Sequence, residues 1–282
     1  MFLLLMIQLL INVASDSEST KRDYNGHLDI NNYFSFVVCI ETHGKTPEPI
    51  KFCTGSLIKS NWVITAAHCL VHENVTVSYG NTISRQLEMK ASVLKQIKHP
   101  QHKMMRNKEY WSVTDDIGLI KVEKIPINPL AKLSSVDYKE FTESPVVFAG
   151  YGFTWMQRAI DSVDLISQIK AIDSTPLLVG QGETIECNLE VVWHPSICVN
   201  SEQKMRRVAD PGGPLIHNGT IIGIFSGSSG NKMVYVPVSL YLVWMRQVML
   251  RDKKEQQKLR DGDKTYNDKY EASMNVTIEI EL

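Results

Sequence analysis

With 30 basic and 31 acidic side chains among 282 residues, the chain has a formal net charge of −1 and none of the basic excess that binds polyanions, which excludes nucleic acid as an expected partner. A content of 43% hydrophobic and 22% charged residues is that of a globular protein, and the length suffices for one large core or two joined ones. Internal repeats and low-complexity stretches are not apparent.

Met1 to about Ser15 is an apolar run through Phe2-Leu3-Leu4-Leu5 and Leu9-Leu10-Ile11, ending in small residues at Val13-Ala14-Ser15. It reads as a secretory signal peptide over 1–15 and is too short for a convincing membrane span; no later stretch is long and apolar enough to be one. The expectation is a secreted, extracellular protein. Residues 16–22 form a short charged leader that ends in Lys21-Arg22, a candidate processing site. Short apolar and β-branched runs then recur between turn residues, at Phe34–Ile40, Trp62–Ala66, Val75–Tyr79, Ile117–Val122, Pro145–Ala149, Leu215–Ile216, Ile221–Phe225 and Met233–Val236. This spacing predicts an all-β architecture over βαβ units. Leu240, Val243, Trp244 and Val248 recur at helical intervals and predict a helix over about 238–251. Beyond Arg251 lies a charged C-terminal extension, 252–282, read as a solvated helical continuation followed by disorder. Its last residues alternate, with Val276, Ile278, Ile280 and Leu282 set against Thr277, Glu279 and Glu281, a strand pattern able to add to a sheet edge. Sequons at Asn74, Asn218 and Asn275 are candidate glycosylation sites, and Asn218-Gly219 reads as an exposed hairpin turn.

Five cysteines in a secreted chain predict disulfides with one thiol left over. Cys39, in the strand-like Phe36–Ile40, is read either as a buried thiol used as a small apolar residue or as a partner for another chain. His68 and His72 have the helical spacing of a metal pair, but no third ligand is evident, so neither a metal nor any other cofactor is expected.

Three motifs follow one another along the chain: Thr65-Ala66-Ala67-His68-Cys69, Asp116-Ile117-Gly118-Leu119-Ile120 and Asp210-Pro211-Gly212-Gly213-Pro214. They resemble the histidine, aspartate and nucleophile blocks of trypsin/chymotrypsin-type serine proteases, in the order those enzymes use for their triad. Cys198, thirteen residues before Pro211, matches the family cysteine that precedes its serine, so Pro211 fills the nucleophile position without a shift of register. The resemblance covers roughly Asp23 to Arg251. It implies two six-stranded antiparallel β-barrels, about 23–125 and 130–238, linked around Ile125–Pro129 and closed by the C-terminal helix. It also implies the disulfides Cys53–Cys69 and Cys187–Cys198, leaving Cys39 as the odd cysteine.

Chemistry at the third motif departs from the family. Proline has no hydroxyl to attack a carbonyl, and no backbone N–H to serve as one of the two oxyanion donors. The other donor position, a family glycine, is Ala209, which resists conformations open to glycine. Met205, six residues before Pro211, stands at the base of the pocket, where trypsin-like preference for Lys or Arg would need an acid. The disulfide bracing that pocket is missing at both ends, with Arg207 near one expected position and no cysteine from Gly227 to Met233. Cleavage after Arg22 would place Asp23 beside Asp210, and like charges in a poorly solvated site repel. Asp210 is expected to pair with Arg206 or Arg207 instead. His68 and Asp116 are expected to persist as structure, and Ser226 to line the pocket.

The residues therefore predict a catalytically inactive protease homologue that acts by binding extracellular proteins, as a decoy, cofactor or scaffold for proteases, protease inhibitors or receptors. Inactive homologues of this kind are found in immune cascades and in glandular secretions, and the short leader leaves no room for the clip domain common in the former, which favours a secretory fluid such as seminal fluid. The competing expectation is an active extracellular endopeptidase with a relocated nucleophile.

Overall fold

The computed structural model describes residues 27–29, 31–43, 49–70, 74–80, 89–106, 111–151, 177–188, 193–200 and 209–278. The expected signal peptide and leader, Met205 with Arg206 and Arg207, and His72 lie outside the described residues. The strands in chain order are β1 (His27–Leu28), β2 (Val37–His43), β3 (Pro49–Lys59), β4 (Trp62–Thr65), β5 (Val75–Tyr79), β6 (Met89–Lys98), β7 (Lys103–Arg106), β8 (Trp111–Thr114), β9 (Gly118–Val122), β10 (Pro145–Gly150), β11 (Leu178–Ile185), β12 (Trp193–His194), β13 (Ile197–Asn200), β14 (Pro214–His217), β15 (Thr220–Ser229) and β16 (Lys232–Pro237).

Six of these close into a barrel in the order β2-β3-β4-β9-β6-β5. A second set runs β11-β10-β14-β15-β16-β13, and pairing of β13 with β11 closes it into another six-stranded barrel. Every pairing within both barrels is antiparallel. This is the expected fold. Strand β1 pairs with β11, His27 opposite Val179, so the span assigned to the first barrel contributes one strand to the second sheet.

Closure removes most open edges and turns alternate side chains inward. The second barrel is filled by Val146, Phe148, Val199, Leu215, Ile222 and Tyr235, among others. Gly180 makes room for one of them, because a Cβ there would stand 2.3 Å from the Phe148 ring. Between the barrels, Val37, Cys39 and Phe52 of the first pack with Ala149, Tyr151 and Leu177. The Tyr151 hydroxyl donates across this seam to the Val37 carbonyl at 3.1 Å, so the one polar atom of a fully buried ring is satisfied. Cys39 lies in this seam outside the two disulfides with 1% of its surface exposed, a burial that suits the apolar filler of the two readings. A small third sheet, β12-β8-β7, joins strands from either side of the seam, with Trp193 opposite Val113 in parallel pairing.

Residues from Leu240 onward form a separate compact unit, a helix α1 that spans Leu242–Ile278. The expected helix is its first part, and the charged extension continues it. The strand pattern read into 276–282 is overturned for Val276 to Ile278, which are helical. Helical hydrogen bonds are local and need no partner strand, so a short alternation at the end of a helix does not select extended structure.

Candidate functional site

Thr65 ends β4, and a short 3-10 turn, Ala67–Cys69, carries His68 at the mouth of the first barrel. The Cys53–Cys69 disulfide, with Cα atoms 6.1 Å apart, ties this turn to β3. Across from it, Asp115 adopts φ +49°, a left-handed conformation that Asp tolerates better than most residues, and so sets the turn from which Asp116 enters the interior. The Asp116 carboxylate is buried and accepts three hydrogen bonds. Oδ1 takes the His68 backbone N–H at 2.9 Å, and Oδ2 takes His68 Nδ1–H at 2.7 Å and the Ser226 hydroxyl at 2.6 Å. Burial alone would raise its pKa, but the hydrogen bonds and charge of His68 and the Ser226 hydroxyl together hold it below the ordinary carboxylate value. An ionised carboxylate accepts only, so Nδ1 bears the proton and the imidazole presents Nε2 as its basic nitrogen. His102, which the sequence reading did not single out, stands beside the pair, its Nδ1 3.8 Å from Asp116 Oδ1 and 3.1 Å from the Thr114 carbonyl.

The third motif is docked onto the same region by its backbone. Thr54 N–H donates to the Pro211 carbonyl at 2.8 Å, and the Thr54 carbonyl accepts from Thr65 Oγ1 at 2.8 Å, three residues before His68. Gly212 has φ +82°, and a Cβ there would lie 2.1 Å from both the Thr54 carbonyl and Thr65 Oγ1, so only glycine fits. Its N–H donates to the Phe225 carbonyl, next to Ser226, at 2.8 Å. Pro211 is thus tied through Thr54 to Thr65, the strand end that leads to His68, and it carries neither a side-chain hydroxyl nor a backbone N–H. Ala209 is buried in the core of the second barrel and is not among the residues with positive φ.

Asp210 is fully buried, and its Oδ2 accepts the Tyr151 N–H at 2.6 Å and the Thr54 hydroxyl at 3.3 Å. Tyr151 and Thr54 were invisible to spacing arguments because Thr54 reaches Asp210 from the middle of β3 and Tyr151 from just past the end of β10; the arginines expected as its partners lie outside the described residues. Of the remaining sites, Cys187 and Cys198 are bridged, Asn74 and Asn218 are exposed at φ +43° and +48°, and Asn275 lies within α1.

Two antiparallel barrels with a His bonded to a buried Asp, which also accepts from Ser226 of the second barrel, define the scaffold of the chymotrypsin-like serine endopeptidases. The chain belongs to the trypsin family: the family profile described as Trypsin matches residues 24–245. Serine protease 1 of Rattus norvegicus is 28% identical over 216 residues, covering 70% of this chain and 80% of that protein. The venom plasminogen activator TSV-PA of Trimeresurus stejnegeri is 27% identical over 263 residues, covering 87% and 94%. Among solved structures, HL collagenase superposes with a TM-score of 0.59 at 20% identity, covering 80% of this chain and 97% of that one.

Proposed function

We propose that this member of the trypsin family is a secreted, non-catalytic protein that works by binding extracellular proteins, as a decoy, cofactor or scaffold. The observation that carries the reading is Pro211, whose carbonyl is bonded to Thr54 N–H in the nucleophile loop while its side chain has nothing to donate or to attack with. The same residue lacks the N–H that would stabilise an oxyanion, a device worth roughly 3–4 kcal/mol in proteases of known mechanism. The alternative, a relocated nucleophile, finds no support at Ser226. That hydroxyl donates to Asp116 Oδ2, on the Nδ1 side of His68, whereas a nucleophile must give its proton to Nε2. Two disulfides accord with an oxidising compartment, and the apolar run at the start of the chain accords with export.

The reading is tested by exposing the purified protein to a fluorophosphonate probe and to ester and peptide substrates. No label and no turnover above background are expected. Labelling that disappears in His68→Ala would overturn the proposal and establish an endopeptidase. Capture from the native secretion then sorts the role, since co-purifying proteases or protease inhibitors support a decoy or cofactor and receptors support a scaffold.

A further inference from the structure

Beside the seam, where Phe34 and Phe36 pack against its core, lies a groove of about 700 Å³ bordered by the segment before β2, the inter-barrel linker, β10, β11 and the β14–β15 turn. Its walls are mainly apolar and include Tyr33, Phe34, Pro129, Leu130, Val147 and Ile216. Tyr33 leaves 69% of its surface exposed. A concave apolar surface of this size with an exposed aromatic at its rim is the kind that ordinarily receives a ligand. One lining residue is itself a sequon asparagine: Asn218, in Asn218-Gly219-Thr220.

The turn is built to present that side chain. Asn218 and Gly219 take φ +48° and +74°, the left-handed pair of a tight hairpin. His217 Nδ1–H donates to the Pro145 carbonyl at 2.8 Å, which fixes the tautomer and leaves Nε2 as an acceptor; Asn218 Nδ2 donates to it at 2.9 Å. Phe141 backs the imidazole, with ring centroids 5.4 Å apart. An asparagine amide substituted on nitrogen keeps one N–H, so a hydrogen bond to His217 is compatible with glycosylation and would hold the linkage against the groove that Pro145 and Asn218 both line.

We propose that Asn218 is N-glycosylated and that the first sugars of its glycan lie in this groove, their apolar ring faces on Tyr33 and Phe34 and their hydroxyls toward Gln181 and Lys132. The modification joins Asn218 Nδ2 to the anomeric carbon of a polyisoprenyl-pyrophosphate oligosaccharide. The carbon–oxygen bond to the pyrophosphate breaks, that lipid pyrophosphate departs, and the amide gives up one proton. The inference rests on passage through the secretory pathway, which belongs to the reading above. The glycan then acts as part of the folded surface and closes a patch that would otherwise be open to other proteins.

The test is to secrete the chain from insect cells behind a foreign signal peptide, which separates a failure here from a failure of native secretion, and to compare wild type with Tyr33→Ala and Tyr33→Phe. Glycopeptide mass spectrometry should find Asn218 occupied. A peptide N-glycosidase should release that glycan at least about tenfold faster from Tyr33→Ala than from native wild type, with Tyr33→Phe remaining protected and all three alike once denatured. An unmodified Asn218, or equal release from native wild type and Tyr33→Ala, would overturn the proposal.

Discussion

Replacing Asp116 by alanine separates a pair kept for structure from one that is merely left over. The substitution removes the acceptor of three hydrogen bonds, from His68 N–H, His68 Nδ1–H and the Ser226 hydroxyl. A buried donor left without a partner costs about 1–3 kcal/mol. His68 retains 17% side-chain exposure, so water recovers part of that cost. A net loss of about 3–5 kcal/mol is expected, the cost of three such donors less the part that water recovers. For a domain of this size that is a fall in Tm of roughly 6–20 °C, read by calorimetry with a urea titration as a check. The pH dependence gives a second reading. Because the folded-state pKa of Asp116 is lowered, its stabilising contribution is complete above the ordinary Asp value of about 3.9 and is lost as pH falls through the folded value. The gap between wild type and Asp116→Asn should therefore be constant near neutrality and close in acid. An Asp116→Ala protein within about 1 kcal/mol of wild type at pH 7 would refute the structural role, since that is less than one orphaned donor costs.

Pro211→Ser restores a hydroxyl and an N–H but leaves Ala209 in the core and Asp210 bonded to Tyr151 and Thr54, so hydrolysis of a chromogenic ester should stay at background; robust turnover by this variant alone would show the damage to be confined to one residue. Gly212→Ala forces a methyl to within 2.1 Å of the Thr54 carbonyl at φ +82° and should cost roughly 3 kcal/mol or more, measured by urea denaturation. Cys39 should resist maleimide in the native protein and react once it is unfolded, and Cys39→Ala should cost about 1 kcal/mol, the order of one buried methylene.

Much of the site was legible because its chemistry is local. Thr65–Cys69, Asp116–Ile120 and Asp210–Pro214 each occupy a few consecutive residues, and β5 begins and ends where the Val75–Tyr79 run does. What escaped notice depends on distant strands. Strand β6, Met89–Lys98, shows mostly exposed or half-exposed side chains with Lys90 and Lys95 among them, and its pairing with β5 and β9 makes it a strand. Strand β11 contains two glycines, which lower strand propensity, yet Gly180 is there to admit the Phe148 ring from β10. In the same way the capture of Asp210 by Thr54 and Tyr151 spans 156 and 59 residues of sequence, beyond the reach of any motif.

The small sheet in which β12 pairs with β8 acts with the apolar seam as a brace across the two barrels. A brace of that kind opposes hinging of one barrel against the other. If the protein works by binding, as proposed above, its partner would meet a surface whose shape is already set, and recognition would be a fit between rigid bodies, with little reorganisation to slow their encounter.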